Sequence, residues 1–371
     1  MDDCYRIADT SCIISPALIV FRDMVEQNLA QMIEIAGSSA RLRPHCKTHK
    51  TKEIIQLQLA RGITRHKCAT FAEAEMCAEA GATDICLAYS LVGPNIARAV
   101  SFVEAWPKVE FCVTGDHPRP LRQLGEAMHA AGKSIGVLLD MDTGQHRTGL
   151  PVGATAHEVY RLIVATDGLK AAGLHVYDGH QHQADRDERR AAINAEWEKI
   201  VAFRDGLTAE GWPVEKIVCG GTGSFPVYAE KEDPTVQMSP GTCVYNDIGY
   251  TEHFPDLVFP PATLLLTRVV SRPTADRVTL DLGYKAIASD PPAGQRSVFP
   301  DLPDATQVLQ NEEHLVLETA RAEEFQPGDE LFAVPRHICP TSALHKEIHV
   351  VSNGELVGTW AIASRDRKLT I

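Results

Sequence analysis

Nowhere in these 371 residues does an apolar run approach the roughly 20 residues that a membrane-spanning helix needs. The opening residues, MDDCYRIADT, carry neither the basic stretch nor the apolar core of a secretory leader, which predicts a cytoplasmic protein. Positive charge is scarce. Lys and Arg number 36 against 49 Asp and Glu, a net charge of -13, and this excludes bulk binding to nucleic acid or to acidic membranes. No low-complexity tail is present, and no repeat beyond the alternation described below. The ten cysteines, with no leader before them, read as reduced thiols rather than as a disulfide framework. What is there is ordinary for a globular chain, 44% hydrophobic and 23% charged, with length enough for two domains.

From about Pro16 to Tyr245, short apolar runs alternate with helical patterns. RLRPHCK reads as a strand, and TKEIIQLQLARG as a helix closed by Gly62. RHKCA, DICLAY, VEFCV, SIGVLLDMD, AAGLHVY, KIVCGG and VQMSPG continue the strand series, with helix-length segments between them. Thr70 and Glu73 stand at capping-box spacing before FAEAEMCAEAG. Eight strands beginning at Arg41 and alternating with helices predict parallel βαβ units and an α/β fold, a (β/α)8 TIM-type barrel over residues 16–250. An open doubly wound sheet is the alternative. CGGTGS does not decide between them, because it comes late and lacks the G-x-G-x-x-G spacing. After Phe254 strand-length runs follow one another with no long helix, which predicts a C-terminal all-β domain over residues 251–371 that residues 1–15 could join. Asn353-Gly354 marks a hairpin within it, and ASDPPAGQRSVFPDLPDA an irregular loop.

Five segments could carry chemistry. RLRPHCKTHKTKE gathers seven Arg, His or Lys in thirteen residues of an acidic chain. If it ends a barrel strand, Arg43, His45 and Lys47 share a side at the face where barrel enzymes keep their sites. An inward lysine there serves either as an ion-pair member or, relieved of its charge, as a Schiff-base amine. Lys50 and Lys52 fall in the following loop and helix start. LLDMDTGQHRTGL brings Asp140, Asp142, His146 and Arg147 to the end of strand five, and LHVYDGHQHQ brings three histidines to the next strand end. GGTGS and SPGT are Gly/Ser/Thr turns whose N–H groups could cradle a phosphate. VPRHICPT, read as extended, projects His337 and Cys339 to one face, and imidazole and thiolate are good zinc ligands.

Taken together these segments resemble the pyridoxal-phosphate (PLP) enzymes built on an alanine-racemase-like barrel, in the branch of D-threonine aldolases and D-serine dehydratases. The resemblance covers nearly the whole chain. PHCKTHK resembles the branch's PHxKTHK, which implies that Lys47 holds PLP. MDTGQHRTG resembles DTGxxRxG, which implies that Arg147 contacts the cofactor's phenolic oxygen. HVYDGH implies that Tyr177 lies beside the pyridine ring. The GGTG and PGT turns imply a phosphate cradle of Gly221, Thr222, Gly223, Gly241 and Thr242. HICPT implies a divalent-metal pair, His337 and Cys339, for which thiolate softness puts zinc ahead of manganese or magnesium. His45 is a candidate proton carrier, as are His180 and His182.

The resemblance implies a PLP- and metal-dependent lyase acting on β-hydroxy-D-amino acids, and, in this fold, a homodimer. Cysteine at the second metal position is similar to the dehydratases, which give a keto acid and ammonia. HVYDGHQHQ and SPGTCVYND are similar to bacterial D-threonine aldolases, which give glycine and an aldehyde. The aldolase is the first reading and a D-serine or D-hydroxyaspartate-type dehydratase the alternative. A racemase, a non-catalytic PLP-binding protein and a barrel metallohydrolase using His45, His49 and the histidines of 175–182 stand further off.

Overall fold

The computed structural model describes residues 3–371. The chain opens with β1 (Ala17–Phe21) and α1 (Arg22–Ala36). Then come α2 (Lys52–Ala60), β2 (Arg65–Cys68), α3 (Phe71–Glu79), β3 (Asp84–Ser90), α4 (Pro94–Ala105), β4 (Glu110–Gly115), α5 (Pro118–Ala130) and β5 (Ile135–Met141). The series continues with α6 (Ala154–Ala165), β6 (Leu169–Val176), α7 (Arg186–Ala209), β7 (Ile217–Cys219), α8 (Phe225–Ala229), β8 (Val236–Met238) and α9 (Ile248–His253). Last come β9 (Thr263–Thr274), β10 (Arg277–Leu280), β11 (Ser297–Val298), β12 (Thr306–Gln310), β13 (Leu315–Glu318), β14 (Glu330–Pro335), α10 (Ile338–Leu344), β15 (Glu347–Ser352) and β16 (Glu355–Ala361). Two compact units share these elements.

One unit takes Met32–Lys47, Lys52–Gly241 and Asp366–Ile371. Its sheet is wholly parallel and pairs in chain order, β2 to β8. The expected alternation therefore yields the curled sheet of a barrel. The expected first strand, RLRPHCK, is not a regular strand. Pro44 has no N–H to give a ladder, so pairing is confined to bridges, Leu42 with Met238 and His45 with Lys67. Backbone bonds from Arg43 N to Met238 O (2.7 Å) and from Lys67 N to Pro44 O (2.9 Å) still seat this segment between β8 and β2. Seven strands and one bridged segment thus stand where eight strands were expected. Cys86, Cys112, Leu138, Ala172 and Val218 pack together inside the sheet. Towards the strands' N-terminal ends, fully buried Arg43 pairs with Asp84 at 2.7 Å and donates to Gln237 at 2.8 Å. Thr70 caps α3 by accepting from Glu73 N, but the Glu73 carboxylate reaches back to Ala69 N (2.6 Å), one residue beyond the box the spacing predicts.

The other unit takes the chain up to Gln31, Thr48–Thr51 and Thr242–Arg365. Its sheet runs β12-β13-β10-β9-β1-β15-β16, with β14 on β9 and β11 on β14. β1, whose residues fall inside the expected barrel span of 16–250, instead lies between β9 (antiparallel) and β15 (parallel) in this sheet. All five of its residues, ALIVF, are buried, so it suits a position covered on both faces. Asn353 and Gly354, at φ 51° and 78°, make the expected turn between β15 and β16. The unit is not all-β, because α9 and α10 interrupt it. α10 replaces the extended RHICPT segment. Pro340 falls in its first turn, where no intrahelical N–H bond is lost, and the Asp247 carboxylate accepts from Ile338 N at 3.0 Å.

Candidate active site

In the barrel unit the strand ends converge on Tyr177, which directly follows β6. Three cations surround its ring. Lys47 Nζ lies 5.8 Å from the centroid, the Arg147 guanidinium carbon 5.0 Å, and Lys67 Nζ 5.4 Å. Lys47 and Tyr177 are half-buried, Arg147 is exposed and Lys67 is buried. The His45 ring is fixed because its Nδ1 accepts the Lys47 peptide N–H at 3.2 Å.

The Gly-rich turn after β7 lies against the same ring. A Cβ added at Gly221 would come within 3.2 Å of Tyr177 Cε2, so a side chain there would crowd it. The turn is tied down by Ser224, whose hydroxyl accepts from Gly221 N (3.0 Å) and donates to buried Asp178 (2.7 Å). Thr222 accepts from Gly241 N at 3.2 Å, which joins the two turns expected to act together. Gly223 lies in the same buried turn. A polyanion with a flat ring fits this surrounding: cations on Tyr177, and Gly backbone where side chains would intrude.

A polar pair is buried on the adjoining strands β5 and β6. His175 Nδ1 and Asp140 Oδ1 are 2.6 Å apart. Burial opposes charge on Asp140, but His175 and Thr148 outweigh it and hold its carboxyl below the usual range. Burial and the Lys67 charge push His175 down. Burial also lowers Lys67, to about 8, with Lys47 repelling it and Asp140 partly restoring its charge. His146 pairs with Asp142 at 2.7 Å on the exposed loop, and His180 packs against Gly144 with Gln181 Nε2 3.1 Å from its own Nε2.

In the other unit α10 sets the metal candidates. His337, the residue before its first turn, has extended backbone (φ -136°, ψ 98°), and Cys339 follows in that turn. The Asp290 carboxylate holds His337 Nδ1 at 2.5 Å, so Nε2 is the ring atom that could take a metal. This is the carboxylate–histidine arrangement typical of metal-ligating imidazole. Despite partial burial, Cys339 and Asp290 raise His337 to about 9. Hydroxyls of Thr48 (3.1 Å) and Thr242 (3.6 Å) approach Cys339 Sγ. Thr242, expected in the phosphate cradle, thus turns its hydroxyl towards the sulfur. Asp247 bonds both Tyr250 N (2.9 Å) and Ile338 N (3.0 Å), fixing the starts of α9 and α10. Burial raises it to about 6. The donor set of imidazole, thiolate and a supporting carboxylate suits a divalent metal, zinc above all.

Lys67, Asp290, Asp178 and Asp247 were not singled out from the sequence. For Lys67 a signal existed: a lysine inside an otherwise buried parallel strand, one residue from its C-terminal end. Asp290 lies 47 residues from His337 in a Pro-rich loop, and nothing local marks it.

Comparison with known proteins gives a consistent result. The alanine racemase N-terminal domain model matches residues 20–248 and the serine dehydratase domain model residues 262–351. A D-threonine aldolase of Arthrobacter sp. is 31% identical, over 95% of this chain and 92% of its own. A D-threo-3-hydroxyaspartate dehydratase of Delftia sp. is 25% identical, over 93% and 96%. The crystal structure of D-threonine aldolase from Filomicrobium marinum superposes with a TM-score of 0.87 at 30% identity, covering 95% of each chain.

Proposed function

We propose, since the chain belongs to the family of D-threonine aldolases and D-serine dehydratases on the alanine-racemase-type barrel and is a PLP-dependent lyase, that it cleaves β-hydroxy-D-amino acids to glycine and an aldehyde. The observation that carries this reading is the Asp290–His337–Cys339 group. A prepared ligand pair for a Lewis acid is what chemistry at a β-hydroxyl needs, and what racemisation at Cα does without. Bound, PLP would supply an electron sink for the pair left on Cα, and a divalent metal, zinc first, a Lewis acid for the β-oxygen.

The chain's own residues divide the remaining work. Lys47 Nζ carries the cofactor and exchanges protons. Arg147 and Tyr177 hold its ring, and the N–H groups of Gly221, Thr222, Gly223, Gly241 and Thr242 receive its phosphate. His45, oriented by the Lys47 peptide N–H, presents Nε2 as a proton carrier. His337 Nε2 and Cys339 Sγ hold the metal, with Asp290 keeping the imidazole in that tautomer. Cofactor on the barrel, metal on the second unit, a cytoplasmic setting and a homodimer of twice the 40.6 kDa chain complete the reading.

Cys339 favours one second reading, in which the β-hydroxyl leaves as water and a keto acid and ammonia result. D-Threonine separates the two. The aldolase yields glycine and acetaldehyde, whereas the dehydratase yields 2-oxobutyrate and ammonia and turns D-serine into pyruvate. Detection of neither product pair by chromatography, with metal and PLP supplied, refutes both.

A further inference from the structure

Lys67 is unusual among the barrel's inward residues. It is 2% exposed and sits on β2, fixed by backbone bonds to Pro44 and Cys46 of the segment that carries Lys47. Its Nζ lies 5.4 Å from the Tyr177 ring, a distance like those of the two cations already assigned to the cofactor. The charged and titratable groups that face it are Lys47 from the bridged segment, Cys86 on β3, Asp140 on β5 and Cys219 on β7, with His175 of β6 paired to Asp140. Asp140 alone among these carries a formal negative charge, and its Nδ1 partner His175 is held neutral by burial. Three cations, Lys67 buried, Lys47 half-buried and Arg147 exposed, therefore stand around one aromatic ring against a single carboxylate.

We propose that Lys67 is a cofactor-positioning residue, the third cation of the anion site around Tyr177, completed electrostatically only when a phosphorylated ligand fills it. This rests on the functional reading above. Physically, an added anion in a buried site stabilises the ammonium form, so Lys67 takes up a proton as the ligand binds. In the empty pocket burial holds Lys67 at about 8, so at that pH this residue takes up a fraction of a proton per site. At pH 6 the ammonium is already formed and uptake from this residue vanishes. A lysine present only to satisfy Asp140 gives no such linkage.

The test is titration of the cofactor-free full chain with PLP. Affinity is read from the visible absorbance. Proton uptake is read by calorimetry in two buffers of different ionisation enthalpy, at pH 6 and pH 8. The expected result is that at pH 8 the unaltered protein takes up more protons than Lys67→Met, while at pH 6 the two take up the same, the titration of the PLP phosphate at about pH 6 being common to both. Lys67→Met also binds PLP at least tenfold more weakly. Lys67→Arg, permanently charged, binds without the extra uptake at pH 8. Tight PLP binding with the same uptake at pH 8 in Lys67→Met, or in Lys67→Arg, as in the unaltered chain overturns the role of Lys67 and leaves the lyase reading standing. Failure of the unaltered chain to bind PLP overturns both. Should Lys67→Met fold poorly, Lys67→Arg carries the same comparison.

Discussion

At the scale of single residues, two lysines three positions apart are predicted to behave oppositely. Lys47→Ala should lose the visible absorbance of bound PLP and essentially all turnover. Lys50→Ala should keep both, because Lys50 at φ 57° contributes its carbonyl to Ser364 N. A reversed result by absorbance spectroscopy moves the cofactor lysine. His66 makes a pH prediction. Burial, helped by Arg43, holds its folded pKa near 3 against an ordinary 6.5. The unfolded chain binds the extra proton between those values, so stability is full above pH 6.5 and falls as pH drops towards 3. The loss is about 1.4 kcal/mol per pH unit. Denaturant unfolding of His66→Leu should show a flatter slope in that window. Lys47, Arg147 and Tyr177, marked in the sequence by motif and strand-end position, do lie together in the structure. Lys67 was not singled out, because its one signal, a lysine next to the end of a short strand, does not say where the side chain lies, and only the register of β2 against His45 places it.

At the scale of elements, the start of α10 positions the proposed metal ligands. His337→Ala or Cys339→Ala should release the metal while PLP stays bound, measured by elemental analysis and absorbance on one sample. Asp290→Asn should be milder, weakening metal affinity by roughly 10- to 100-fold, since it removes orientation and not a ligand. Asp247→Ala leaves two helix-start N–H groups without their acceptor. It should cost about 1–2 kcal/mol for each cap in denaturant unfolding. The His-x-Cys pair was readable from the sequence, but its conformation was not. Alternating polarity in VPRHICPT mimics a strand, and the acceptor that starts the helix, Asp247, lies 91 residues away. The irregularity at Pro44 has a local cause instead: eight apolar runs predict eight strands, and the missing proline N–H reduces one to bridges.

At the scale of the whole molecule, the two units are interleaved along the chain and not strung end to end. The boundaries fall at 31/32, 47/48, 51/52, 241/242 and 365/366, so Lys47 ends one stretch of the barrel unit. No single cut yields either unit intact. β1 shows the cost of this. Ile19, fully buried between β9 and β15, should cost about 2–5 kcal/mol when changed to Ala, by denaturant unfolding. The strand's neighbours pair with it through residues such as Leu264 and His349, hundreds of positions later. A ribosome adding about 5–20 residues per second needs on the order of tens of seconds to deliver them. For that interval the growing chain carries ALIVF, five uncharged apolar residues, before either partner strand has been made. The first strand of the sheet is thus an obligation the nascent polypeptide must shelter until its last residues emerge.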